Sequence, residues 1–214
     1  MASQEKSRSY SSPAREDQAR RTRERILDSG RRLFIDRGYA GTTIADVAAS
    51  AKVSVQTVYN VIGGKAELLK VVYNSTLSGD DEPAAMMDRP VFSAVAEAPD
   101  PLSSLAAYAR FAGDINRRVH PLLNVLLTGG VSASEEIRAF VDTIESQRAS
   151  GTKAVATHVQ TAYGLGEGVT LGDASSVLWA LTSPDLADRL AVRREWGWDK
   201  FEEWLGVAMT AAIT

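Results

Sequence analysis

The chain has 214 residues, 44% hydrophobic and 24% charged, with no cysteine, two histidines and a formal charge of −3, so it has the length of one domain or two modest ones and no disulfide or thiolate chemistry. His120 and His158 alone make a poor inventory for a transition-metal site, and no apolar run approaches the ~18 residues of a spanning helix, so the expectation is a cytoplasmic protein with no metal, no cofactor and no membrane partner. The charge is uneven: residues 1–77 hold 13 Lys and Arg against 8 Asp and Glu, whereas the remainder holds 11 against 19, as suits a small polyanion-binding module carried on an acidic second domain.

In chain order, the Ser-rich, charged stretch Met1 to Ala19 lacks an apolar h-region and predicts a disordered arm rather than a secretory signal. A first helix follows over about Arg20 to Arg37, with Ile26, Gly30, Leu33 and Phe34 on one stripe and Gly38 stopping it. Thr42 and Thr43 supply cap oxygens to a short helix through Ser50, with Ile44, Val47 and Ala48 inward. After a tight turn at Ala51 to Val53, Ser54 caps another short helix through about Ile62. Two short helices joined in this way form a helix-turn-helix. Gly63 and Gly64 break the chain, and a longer helix opens near Lys65 with Leu68, Leu69 and Val72 available for packing.

Beyond a loop containing Asp80, Asp81 and Pro83, one helix has apolar residues on two sides: Tyr108, Phe111, Ala112, Ile115 and Val119 on one, Leu102, Leu105 and Ala109 on the other. That predicts central burial, with Pro121 kinking or restarting the helix. Gly129 and Gly130 end the segment, and Ser134 with Glu135 and Glu136 opens the next helix, which carries Ile137, Phe140, Val141 and Ile144. The run Gly164, Gly166, Gly168 marks a loop. Residues about 170 to 194 and 198 to 213 then form two further helices. In the last, Phe201, Trp204, Leu205, Ala208 and Ala212 make an apolar stripe that needs a cover, and a partner subunit is the economical one. The fold class is therefore all-α: an arm over 1–19, a helix-turn-helix domain over 20–64, and a helical domain over 65–214.

Catalytic signatures are missing. Gly63-Gly64-Lys65 is followed by Ala66 and lacks the upstream glycine of a phosphate loop, and Gly164 to Gly168 follows a predicted helix where a dinucleotide fingerprint requires a strand.

The ordered stretch Thr42-Thr43-Ile44-Ala45-Asp46-Val47-Ala48, Val53-Ser54-Val55-Gln56-Thr57-Val58-Tyr59 and Lys65-Ala66-Glu67-Leu68-Leu69 resembles the DNA-binding domain of TetR/AcrR-family regulators over about 50 residues, Arg23 to Tyr73. Leu178-Trp179-Ala180-Leu181-Thr182-Ser183-Pro184, Trp196-Gly197-Trp198 and Trp204-Leu205 look like ligand-binding domains common in actinobacterial members. Two positions depart from the family's pattern. Lys52 stands where a turn glycine is usual, at a left-handed cost of ~1 to 2 kcal/mol. Ile62 with Gly63-Gly64 replaces the usual aromatic and its polar neighbour.

In a helix-turn-helix the second helix enters the major groove. Gln56 can pair with an adenine edge, Val55 and Thr57 can touch a thymine methyl, and Tyr59 and Asn60 can reach phosphates or base edges. Thr42, Thr43, Ser54 and Lys65 lie at helix N-termini and are candidate phosphate contacts, with plain capping as the alternative. The resemblance implies a repressor released from double-stranded operator DNA by a small-molecule effector; a same-family activator, or control by a protein partner, is the alternative. One helix-turn-helix reads too few base pairs, so a homodimer on a pseudo-palindrome is expected, joined through residues such as Leu178, Leu186, Leu190, Trp204 and Leu205. Tyr73, Phe111, Ile115 and Trp179 are candidate walls of an effector pocket, with ordinary core packing as the alternative.

Overall fold

The structure is a computed structural model that describes residues 13–78, 90–126 and 135–214. All regular structure among these residues is helical. The chain divides into two compact units between Val72 and Tyr73, so the division falls inside a helix, eight residues beyond the boundary expected from the Gly63-Gly64 break.

The first unit contains α1 (Pro13–Arg37), α2 (Ile44–Ala51), α3 (Val55–Val61) and the opening of α4 (Lys65–Ser78). Helix α1 begins seven residues before the predicted start. Pro13 at its first position loses no helical hydrogen bond and Glu16 complements the helix N-terminus. Arg20 bridges Asp17 at 3.1 Å and Glu24 at 2.9 Å across successive turns. Residues 13–19 are thus helical, and the rest of the predicted arm lies outside the described residues. Gly38 ends α1 at φ +71, a conformation that favours glycine. The core is Ile26, Leu27, Phe34, Ile44, Val47, Ala48, Val58, Leu68 and Leu69, all buried. At Gly30 an added Cβ would stand 3.2 Å from the Leu68 side chain, so the absence of a side chain there brings α1 and α4 together.

The second unit holds the end of α4, then α5 (Pro90–Ala96), α6 (Pro101–Val125), α7 (Glu135–Ala162), α8 (Leu171–Leu181), α9 (Pro184–Ala187) and α10 (Trp198–Ile213). The predicted loop at Asp80 to Pro83 and the break at Gly129, Gly130 and Ser134 lie outside the described residues. Pro121 sits inside α6, which continues to Val125 without restarting. The single helix expected over 170 to 194 is three pieces. Thr182 ends α8; Ser183 caps α9, its hydroxyl accepting from the Leu186 amide at 3.2 Å, with Pro184 at the first helical position. A wider π-helical turn then runs from Asp188 to Arg193.

Helix α10 lies along α6 and α8, burying Phe201, Leu205, Met209 and Ile213 completely. A Cβ on Gly206 would stand 3.0 Å from the Ala106 Cα, tighter than an ordinary contact, so glycine eases the close approach of α10 to α6. Of the expected apolar stripe, Phe201 and Leu205 are thus covered by their own chain, Trp204 and Ala208 are half-buried, and Ala212 is exposed. Leu178 and Leu205, expected at a subunit interface, are fully buried core residues. Leu186, Leu190 and Trp204 remain only partly buried.

Candidate nucleic-acid interface and a cavity in the second unit

Helix α3 is seven residues long and turns one face inward. Val58 is 0% exposed, while Val55 is 43% and Tyr59 51% exposed, with Gln56 and Asn60 also open to solvent. Val55 with Tyr59, and Gln56 with Asn60, stand four apart and so occupy one outward face. Exposing an apolar Val and an aromatic ring together on so short a helix wastes burial that a bound partner would recover. Gln56 Nε2 donates to Asn60 Oδ1 at 2.8 Å. That bond leaves a Gln56 acceptor and the Asn60 donors facing outward, the complement that a base edge requires.

Ser54 caps this helix and Lys52 ends the one before it. The Ser54 hydroxyl accepts from the Thr57 amide at 3.0 Å and lies 2.7 Å from the Thr57 hydroxyl. Lys52, at φ 56 and ψ 48, takes up the left-handed conformation expected of the turn, and its amide bonds the Ala48 and Ala49 carbonyls at the end of α2. Gly63 follows at φ +116, where glycine is favoured. The turn thus keeps its geometry without glycine at Lys52, with strain as the cost.

Three of the predicted phosphate contacts have other work. Thr42 is fully buried, its hydroxyl 3.0 Å from the Leu33 carbonyl and 2.9 Å from that of Gly38, so it closes the end of α1 and cannot reach DNA. Thr43 is exposed but reciprocally capped: the Asp46 amide donates to its hydroxyl at 3.1 Å and its own amide donates to Asp46 Oδ2 at 3.0 Å. These Thr43 bonds hold the Asp46 carboxyl below its ordinary value, so a carboxylate already occupies the N-terminus of α2. Lys65 donates from Nζ to the Tyr39 carbonyl at 2.9 Å and lies over the Tyr39 ring, 4.3 Å from its centre. That contact fastens α4 to the end of α1. Ser54 stays exposed, and the first turn of α3 carries no acid. The Thr43–Asp46 box has the Ser/Thr-x-x-acid form that sequence could have revealed; the Thr42 and Lys65 contacts span 9 and 26 residues and leave no local signal.

The second unit contains a cavity of about 910 Å³ among α4, α6, α7 and the segment around Thr182. Tyr73, Phe111 and Ile115 line it, as expected, together with Leu77, Tyr108, Ala112, Asn116, Val119, Asp142 and Arg148. Burial pushes the Tyr73 and Tyr108 hydroxyls up to about 12. The Tyr73 ring meets Phe140 edge-on, with centres 5.5 Å apart. Trp179 does not line the cavity. It is 40% exposed on α8, donates from Nε1 to Glu145 Oε2 at 3.1 Å, and carries the Arg148 guanidinium 5.4 Å from its ring centre. Arg148, which the sequence did not single out, is the one cationic wall residue among those described. The volume falls within the ~300 to 1,000 Å³ of small-molecule sites.

Comparison with known proteins separates the two units. The profile of the family described as bacterial regulatory proteins, tetR family, matches residues 26–72. The HTH-type transcriptional regulator TtgR of Pseudomonas putida is 37% identical over 59 residues, which is 28% of this chain and 28% of that relative's length. The sequence similarity to curated relatives is thus confined to little more than a quarter of either protein. The fold likeness extends much further. Native NalD of Pseudomonas aeruginosa, described as the secondary repressor of the MexAB-OprM multidrug efflux pump, aligns over 92% of this chain and 98% of its own with a TM-score of 0.68 at 21% identity. FadR of Bacillus subtilis, solved in complex with stearoyl-CoA, aligns over 89% and 99% with a TM-score of 0.68 at 13% identity.

Proposed function

We propose that the chain is a regulator of the tetR family, whose profile matches residues 26–72, and that it acts as a homodimeric repressor whose α3 reads operator DNA and whose second unit takes up a releasing small molecule. The observation that carries the reading is the outward face of α3. Gln56 and Asn60 present hydrogen-bonding groups and Val55 and Tyr59 apolar contact, on a helix anchored from behind by Val58. In the major groove Gln56 pairs with an adenine edge and Val55 with Thr57 meets a thymine methyl, while Tyr59 and Ser54 contact the backbone. Thr43 and Lys65 are left as capping and anchoring groups.

Release follows from α4. Its Leu68 and Leu69 belong to the core of the DNA-binding unit, and its Tyr73 and Leu77 belong to the cavity wall. An effector that prefers one setting of Tyr73 and Leu77 shifts the population of α4 conformations, and with it the separation of the two α3 helices in a dimer. A cavity of this volume with Tyr73, Phe111 and Ile115 in its wall supports a small-molecule signal over a protein partner.

The test is selection of bound duplexes from a random-sequence pool by the full-length protein. The reading predicts an inverted repeat with half-sites one helical turn apart, ~34 to 36 Å between recognition helices. A pool that shows no enrichment at low salt, from protein that sediments as a monomer, overturns it.

A further inference from the structure

Asp142, Glu145 and Arg148 follow one another at intervals of three along α7, so they lie along one side of that helix. Asp142 and Arg148 line the cavity. Glu145 meets Arg148 from outside, its Oε2 2.6 Å from Nη1. The Arg148 guanidinium also donates from Nη2 to the Trp179 carbonyl near the end of α8 at 2.8 Å, and the Trp179 ring covers it. With its side chain only 18% exposed, Arg148 is held on three sides by groups of its own chain. Two carboxylates against one guanidinium leave this wall with a net negative charge.

We propose that the effector of this cavity is an apolar molecule that carries no negative charge, and that Glu145 sets this preference by neutralising Arg148. The inference rests on the reading of the cavity as an effector site. An anionic head would have to draw Arg148 away from Glu145 and would meet Asp142 on the same wall. The remaining polar wall is uncharged, made of hydroxyl and amide side chains. Tyr73 and Tyr108 keep their protons through the physiological range, since burial raises both hydroxyls. Asn116 is buried, one amide hydrogen directed to the Thr182 carbonyl at 3.3 Å. Against them stand Leu77, Phe111, Ile115 and Val119, which suit an apolar body. Glu145 is thus a specificity-determining residue that need not touch the ligand.

Two fluorescent probes isolate the charge: neutral N-phenyl-1-naphthylamine and its sulfonate counterpart, 8-anilino-1-naphthalenesulfonate. Titrated into the full-length protein, the neutral probe is expected to bind at least ~10-fold more tightly, a difference of ~1.4 kcal/mol. Glu145→Gln keeps an acceptor for Arg148 and Trp179 and removes only the charge. It should raise affinity for the sulfonate by ~10-fold and leave the neutral probe within ~2-fold. Arg148→Gln added to that variant should abolish the gain. Ala112→Trp, which fills the cavity, should remove binding of the neutral probe; if circular dichroism finds that variant unfolded, Ile115→Trp replaces it. Equal binding of the two probes by the unmodified protein, or a sulfonate affinity indifferent to Glu145→Gln, overturns the charge rule and leaves the cavity reading standing. Neutral-probe binding that survives filling of the cavity overturns the cavity reading itself.

Discussion

Replacing Lys52 by glycine should stabilise the DNA-binding unit, although it removes a side chain and adds no contact. Lys52 ends α2 at φ 56 and ψ 48 and is exposed, so its side chain is not part of the core. A residue with a Cβ in this left-handed conformation costs ~1 to 2 kcal/mol, which glycine does not incur. Glycine is in turn more costly to order from the unfolded chain, by ~0.5 to 1 kcal/mol. The difference is a net gain of ~0.5 to 1 kcal/mol. With a urea slope near ~2 kcal/mol per molar, the midpoint should rise by ~0.25 to 0.5 M. Lys52→Ala is the control: it keeps the Cβ and should leave the midpoint nearly unchanged. The assay is urea denaturation followed by far-ultraviolet circular dichroism. A glycine variant that melts at or below the alanine variant would refute the claim that strain is stored at this turn.

Thr42→Val should destabilise the first unit by ~1 to 3 kcal/mol in the same assay, because it removes the buried hydroxyl that donates to the half-buried Leu33 and Gly38 carbonyls. Operator affinity of the folded fraction should be unchanged. Leu205→Ala should cost ~2 to 5 kcal/mol in a manner independent of protein concentration, since Leu205 is buried in its own chain; a midpoint shift that disappears at high concentration would instead place it at a subunit interface. The Asp188 carboxyl lies below its ordinary value of 3.8, chiefly because His120 Nε2 stands 2.8 Å away and further because of Arg193. A depressed carboxyl stabilises the fold above its ordinary value, and that contribution is lost as pH falls from about 4 through the folded value. Asp188→Asn should therefore lower the urea midpoint at pH 6, with the deficit shrinking as the pH is taken below 4.

The local signals were legible in the sequence because capping and turn chemistry act within a few residues. Gly38 stops α1, Thr43 and Ser54 cap α2 and α3, and Lys52 sits in the left-handed turn. Gln56, Tyr59 and Asn60, expected to reach DNA, stand on the outward face of α3. Periodicity, however, tells that a face is buried and not against what. The stripe of α10 reads as a partner's surface, yet Phe201 and Leu205 in it are buried within their own chain. Continuous apolar spacing across 170 to 194 likewise obscured the break that Ser183 and Pro184 impose. Trp179 reads as a pocket wall because it is aromatic. Its position is decided by Glu145 and Arg148, more than 30 residues away on α7. Thr42 failed for a related reason: a threonine ahead of a helix reads as a cap, whereas its hydroxyl turns back to the preceding helix.

Reading of DNA by α3 is tested most directly with Tyr59→Ala, measured by fluorescence anisotropy on the duplex recovered by selection, at fixed salt. The ring is half exposed and Val58 holds the helix independently of it, so stability should change by no more than ~0.5 kcal/mol. Each lost contact weakens binding by ~1 to 3 kcal/mol, and a dimer loses two, so affinity should fall at least ~30-fold. A stable, dimeric Tyr59→Ala protein that binds the same duplex as tightly as the unmodified chain would contradict the account.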